Sequence, residues 1–265
     1  MNSCDVDINR EYPKITVVTP SYNQAPFLEA TLQSVLNQEY PNLEYIVIDG
    51  GSTDGSVEII NRYAAHLAYW VSEPDRGQTD ALNKGFAKAT GDILCWLCSD
   101  DLLEPWTLKE VAQFFRENPQ VRVVYGDTTW VDMEDQPLRN RKELPFNRFI
   151  FLYEHNFIPQ PSTFWRRDLY EEVGGLNPEF DVAMDADLWI RFAEVTSIHH
   201  IRRHWSRMRL YPEQKTQRLQ LKARMEGQVL RRRYFGDEPD WSFRVKKILA
   251  KGMRVTWKLA VGCYW

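Results

Sequence analysis

The sequence predicts an α/β fold: a mainly parallel sheet flanked by helices, followed by a helical C-terminal extension. Three observations predict it. Short apolar runs alternate with amphipathic segments through the first half of the chain. Those runs are continuously hydrophobic, as in strands covered on both faces. Each is followed at once by a polar cluster, at the place where open parallel sheets bind ligands.

The elements follow in order. "KITVVTPS" (14–21) is β-rich and stops at a turn signal. "APFLEATLQSVLNQ" (25–38) spaces Phe27, Leu28, Leu32, Val35 and Leu36 helically, with Pro26 early, where a helix tolerates it. "LEYIVIDGG" (43–51) is the second strand and "SVEIINRYAAHL" (56–67) the second helix. "AYWVS" (68–72), "QTDALNKGFAKAT" (78–90) and "DILCWLCS" (92–99) continue the alternation as strand, helix and strand. A helix over 106–118 and a strand over 121–132 complete it. From 133 to 165 the pattern loosens, and "PLRNRKELPFNRF" and "HNFIPQPSTFW" read as loops. "RRDLYEEVGGLNP" (166–178) is a helix ended by Gly174 and Gly175. "MDADLWIRFAEV" (184–195) is a helix with Asp185 and Asp187 in its first turn. Two basic segments, 217–235 and 243–259, read as helices.

Composition narrows the class. A chain of 265 residues with 43% hydrophobic and 26% charged residues is globular. The net charge of −4 is unevenly spread: residues 218–265 hold 12 Lys or Arg against 4 Asp or Glu, and the remainder 21 against 33. The acidic body and basic tail are therefore expected to meet different things. No apolar run is long enough to span a membrane, and the first residues lack the apolar core of a signal peptide, so a cytoplasmic location is expected. Cys4, Cys95, Cys98 and Cys263 are too scattered for a disulfide framework. Cys95 and Cys98 read as buried structural thiols inside a strand.

Several familiar chemistries are excluded. The turn after the first strand is "PSYNQ", with no G-x-G-x-x-G; there is no P-loop and no G-x-S-x-G elbow. What remains is a set of carboxylates at strand ends. Asp100 and Asp101, adjacent in "WLCSDD", would repel by about 4 kcal/mol at ~4 Å and intermediate dielectric unless a cation or donors lie against them. Hard oxygen ligands suit Mg²⁺ or Mn²⁺ shared with substrate phosphates. A solvated helix cap is the other reading, and the pair alone leaves both open.

The stretch from "VVTPSYNQAPFLEATLQSVLNQEYPNLEYIVIDGGSTDGS" to "SEPDRGQTDALNKGFAKATGDILCWLCSDD" resembles the nucleotide-binding half of a family 2 glycosyltransferase with the GT-A, Rossmann-like fold. A weaker likeness continues through 160–192 to "RLYPEQKT" (209–216). The resemblance implies that Asp101 binds the metal and Asp100 the same ion or the donor's ribose. It places Tyr22 against the nucleotide base in a pocket shaped by Pro20 and Ser21, and gives Asp49 the base edge. It puts Asp75 and Arg76 near base and phosphates, and Arg209 facing the diphosphate. The family's acidic pair falls on "MDADLW", making Asp185 the general base and leaving Met184 where an acid is common. The implied activity is inverting, metal-dependent transfer from a nucleoside diphosphate sugar, UDP-linked, to an acceptor hydroxyl in glycan or glycolipid synthesis.

Two departures stand out. Cys98 occupies a place where Asn or Asp is frequent, and Tyr211 stands where R-x-H would put a histidine ligand; His204 is a candidate replacement. Each assignment also has a plainer reading: Tyr22 as packing, Asp49 as a turn cap, Arg76 as a solvated charge, Asp185 or Asp187 as helix-end charges. The expected organisation is a lead (1–13), a glycosyltransferase domain (14–216) with a nucleotide-sugar half (14–132) and an acceptor half (133–216), and a basic extension (217–265). Arg231, Arg232, Arg233, Lys246, Lys247, Lys251, Arg254 and Lys258, interleaved with Trp241, Trp257 and Trp265, suit either a peripheral membrane contact or a tail folded on the acidic body. No nucleic-acid partner is expected. A nucleotidyltransferase, or a sugar-nucleotide binding protein without catalysis, is the rival reading.

Overall fold

A computed structural model of the protein describes residues 12–263. Most of the expected lead, together with Cys4 and Trp265, lies outside the described residues. The first half of the chain is built as the apolar runs dictate: β1 (Ile15–Ser21), α1 (Ala25–Leu36), β2 (Leu43–Asp49), α2 (Ser56–Tyr63), β3 (Tyr69–Ser72), α3 (Gln78–Phe86), β4 (Ile93–Trp96), a two-residue β5 (Leu102–Leu103), α4 (Thr107–Glu117) and β6 (Val123–Val131). β1 is buried along its whole length, which is why it carries no alternation of apolar and polar residues.

The stretch read as loop, 133–165, is more ordered than its composition indicates. It contains β7 (Pro137–Arg141), α5 (Arg148–Tyr153) and the start of β8 (Thr163–Arg166). β7 closes a hairpin on β6, and α5 is capped by Asn147, whose side chain accepts the N–H of Ile150. α6 (Arg167–Glu172) ends at Gly174 and Gly175, both with positive φ, where a Cβ would be strained. α7 (Met184–Val195) matches the expected helix, and β9 (His199–Arg209) follows. This strand is absent from the sequence reading because "HHIRRHWSRMR" lacks a clear period of two. It forms because it is paired on both sides, parallel to β6 and antiparallel to β5, with Trp205, Ser206 and Arg209 buried.

The strands lie in the order β3-β2-β1-β4-β8-β6-β9-β5, with β7 on β6. β1 to β4 are mutually parallel, and β8 runs antiparallel between β4 and β6. In register, Ser21 faces Asp49 and Asp49 faces Ser72, so three polar strand ends line up at one edge.

Three tryptophans tie this edge to the second half. Trp96 of β4 stacks on Trp189 of α7 with centroids 5.7 Å apart, and Trp165 of β8 meets both edge-on. The strand leading to Asp100 and the helix beginning beside Asp185 are thereby fixed relative to each other.

The tail forms α8 (Lys215–Arg218), α9 (Gln220–Phe235) and α10 (Asp240–Ala260). It folds back on the body: Leu230 and Ala250 are buried, Arg233 pairs with Glu179, Lys222 with Asp181, and Lys258 with Glu143.

Candidate active site

β4 emerges from the core through Leu97 into Cys98, Ser99, Asp100 and Asp101. A turn closed by the Asp101 N–H on the Cys98 carbonyl puts both carboxylates on the same side of the sheet edge. Thr31 of α1 pins the turn, its hydroxyl lying 2.9 and 2.8 Å from the carbonyls of Ser99 and Asp101. Asp101 accepts the backbone N–H of Arg209 at 3.2 Å, and Asp100 accepts the hydroxyl of Tyr211 at 2.8 Å. Burial pushes both carboxyls above their usual range, Asp101 well above it, with the neighbouring Asp100 charge as its second cause.

Cys98 Sγ and carboxylate oxygens of Asp100 and Asp101 lie within 4.8 Å of one another. Two adjacent carboxylates, Asp101 buried and Asp100 half-buried, are the arrangement a divalent cation relieves, and their oxygens are hard donors, so the pair fits Mg²⁺ or Mn²⁺. The Cys98 thiol is already engaged, accepting from Gln78 and approaching Gln160 Oε1, and burial raises its pKa. His204 does not join this group. Its carbonyl accepts the Trp106 indole, and its side chain lines a separate surface hollow with Trp106, Glu110, Arg202 and Arg203.

Arg209, expected to face the diphosphate, has its guanidinium enclosed by the protein. Its side chain is 2% exposed, with Nε and Nη2 on the carboxylate of Asp135 and Nη1 on the carbonyl of Asp100. Asp135 sits at positive φ in the turn between β6 and β7, a position no sequence pattern connects to Arg209. Arg209 instead braces the backbone of the carboxylate pair. A cation that the structure does bring beside the pair is Lys215, in the "QKT" segment, through Gln78, which also donates to Cys98 Sγ. Its ammonium contacts Gln78 Oε1 at 3.0 Å, Asp181 O at 2.7 Å and Asp181 Oδ1 at 2.6 Å, and its charge is felt by both Cys98 and Asp185.

Asp185 stands at the start of α7, accepting the Ala186 N–H at 2.7 Å and the Asn156 side-chain amide at 2.8 Å. Enclosure by the protein drives its carboxyl up to about 6 against those two bonds. Asp187, two residues on, is wholly buried and paired with Arg191 at 2.7 Å, so its duty is structural. Met184 is buried against the Thr79 hydroxyl. The segment leading into α7 is held from the tail: Glu226 of α9 accepts the N–H groups of Asp181, Val182 and Ala183 at 3.2, 2.9 and 2.8 Å.

On the side of β1 and β2, Tyr22 is 62% exposed just after β1, a flat face presented to solvent. A Cβ on Gly50 would lie 2.6 Å from Asp75 Oδ2 and 3.3 Å from Tyr22 Cδ2, so the glycine lets these two side chains close on one spot. Pro20 and Ser21 are buried beneath it, and the Ser21 hydroxyl has no hydrogen-bond partner. Asp49 is completely buried. Its Oδ2 takes the N–H groups of Gly51 and Ser52 and the Ser72 hydroxyl, while Oδ1 takes only the Ser52 hydroxyl. Asp49 thus holds the turn and ties it to the end of β3. Arg76 points into solvent, paired with Asp80 at 3.1 Å, and is not gathered into the cluster. Tyr211 joins the two sides: it packs on Phe27, lies 3.5 Å from Gln24 Nε2, and reaches Asp100.

A family model described as Glycosyl transferase family 2 matches residues 16–174. An uncharacterized glycosyltransferase of Mycobacterium tuberculosis is 34% identical over 185 residues, 69% of this chain and 70% of the relative. A PGL/p-HBAD biosynthesis glycosyltransferase of Mycobacterium bovis is 34% identical over 183 residues, 68% and 69% of the two chains. Among solved structures, a mannosyltransferase from Pyrobaculum calidifontis in complex with GDP-Man and Mn²⁺ superposes with a TM-score of 0.64 at 22% identity, covering 94% of this chain and 72% of that one. S. aureus TarS 1-349 in complex with UDP-GlcNAc gives 0.62 at 19%, covering 76% and 60%. These likenesses show the fold, which is that of the GT-A glycosyltransferases. The chain belongs to glycosyl transferase family 2 and is a glycosyltransferase.

Proposed function

We propose that this enzyme moves a sugar from a nucleoside diphosphate sugar, UDP-linked, to an acceptor hydroxyl by a single inverting displacement. The observation that carries the reading is the adjacent pair Asp100 and Asp101 at the strand end, Asp101 buried and Asp100 half-buried, with Lys215 linked to neighbouring Cys98 through Gln78. Asp101 and Asp100 are the residues that would hold Mn²⁺ or Mg²⁺, which when bound stabilises negative charge on a departing diphosphate. Tyr22 offers a face for the base, Asp75 offers an acceptor above the turn that Asp49 holds, and Lys215 offers a cation to the phosphates.

Asp185 receives the proton of the attacking hydroxyl. A carboxylate of pKa about 6 is ionised near neutrality and yet more basic than an ordinary aspartate, which suits that task. Asn156 fixes its orientation through Oδ2. One carboxylate in the role of base, with no second acting as nucleophile, is the arrangement of an inverting mechanism. The naming of a 34% identical relative for PGL/p-HBAD biosynthesis supports an acceptor in glycolipid synthesis.

The test is a screen of UDP- and GDP-sugars for thermal stabilisation, with Mn²⁺ and with chelator, followed by turnover and anomer assignment by NMR. The expected result is metal-dependent stabilisation by one donor and release of its diphosphate with inversion at the transferred sugar. Stabilisation without turnover on any acceptor would leave a binding protein, and a product that retains configuration would refute the mechanism.

A further inference from the structure

α10 carries two different faces. The inner one explains its position: Ala250 is buried, Phe243 packs near Tyr153 and under Arg231, Arg254 pairs with Glu154, and Lys258 is buried on Glu143 and the Lys142 carbonyl. Lys246 is also spent, on Glu238 and the Tyr153 hydroxyl. Much of the tail's basic charge is therefore consumed by the body.

The outer face is not polar, as a solvent face should be. Trp241, Val245, Ile248 and Leu249, then Met253 and Leu259, recur at steps that keep them on one side of the helix, and all are exposed, Trp241 and Ile248 each by 71%. Arg244, Lys247 and Lys251 are exposed beside this stripe, with no ion pair among the described residues. The helix holds one acid, Asp240, at its first position. An apolar stripe bordered by unpaired cations is the pattern of a helix lying in a lipid headgroup plane. No described helix is long and apolar enough to cross a membrane, so the pattern is not that of a span.

We propose that α10 lies flat on an anionic bilayer, with Trp241, Ile248 and Leu249 inserted at the headgroup boundary and Arg244, Lys247 and Lys251 against lipid phosphates. Charge selects this occupant over a second copy of the chain, because two such faces brought together would oppose their own unpaired cations. The placement has a use. α10 packs on α5, which leads directly to Asn156, the residue that orients Asp185. A bilayer under α10 would thus lie beside the acceptor half of the enzyme. The membrane contact stands on the helix alone; its service to a lipid-linked acceptor rests on the transferase reading above.

The experiment is flotation of the full chain with vesicles of phosphatidylcholine alone and of phosphatidylcholine with phosphatidylglycerol, at low and high salt. Binding to the anionic vesicles is expected, weakened by salt and by about fivefold for each of Lys247→Gln and Lys251→Gln. The double variant Ile248→Glu, Leu249→Glu should abolish flotation, while its melting temperature and its stabilisation by sugar nucleotide stay those of the wild type. No flotation with anionic vesicles at low salt overturns the proposal. So does a concentration-dependent dimer that the double variant dissolves, since the stripe would then be a self-interface. Neither result touches the transferase reading, which is judged on turnover with a soluble acceptor.

Discussion

Asp185 sits at a helix start, which ordinarily favours a charged carboxylate, yet enclosure wins and its carboxyl reaches about 6. The sign follows directly. A base must be ionised, so kcat/KM should fall about tenfold per pH unit below about 6 and level off above it. Asp185→Asn should lower transfer by ~10²–10⁴-fold while leaving stabilisation by the donor intact. A pH–rate profile and a thermal shift on the variant check both, and equal loss of binding and transfer would remove Asp185 as the base. At this scale the sequence displays groups whose position is set by local chain direction. Asp100 and Asp101 are legible because they end an apolar strand, and Asp185 because it opens a helix. Lys215, Asn156 and Gln78 are not, since each enters the site from a different element. The enclosure of Arg209 is hidden for the same reason: its partner Asp135 lies in a hairpin turn that composition does not reveal.

Elements bring these residues to one place, and α9 does so in an unexpected way. Glu226, 8% exposed, accepts three N–H groups before α7 and so fixes the residues just ahead of Asp185. Removing a charged acceptor leaves buried donors unmet, so Glu226→Ala should cost about 1.5–3 kcal/mol of stability, read from urea unfolding, and should lower kcat more than the donor's KM. Unchanged stability would mean that water replaces the carboxylate and that the extension does not support the site. The contact has no signature in sequence, because its donor segment and its acceptor lie in different parts of the chain. β9 escapes for a related reason: it lies between two neighbours, and its arginines are divided between exposed (Arg202, Arg203) and buried (Arg209) positions, which leaves no alternation to read.

At the scale of the whole molecule, the parallel half is written plainly in the sequence, since its strands are buried on both faces and its helices are amphipathic. The mixed half is not, because antiparallel strands with polar faces look like loops until their partners are known. The charge division between acidic body and basic tail is realised as ion pairs such as Arg233–Glu179 and Lys258–Glu143, which bind the extension to the domain it follows. The two halves meet at the carboxylate pair, held by β4 from one side and by Arg209 and Tyr211 from the other. Mn²⁺ titration followed by electron paramagnetic resonance, on wild type and on Asp101→Asn with and without UDP, tests that junction most directly. The account predicts one ion held by the wild type, more tightly with UDP, and at least tenfold weaker retention by the variant. Equal Mn²⁺ binding by both proteins would contradict it.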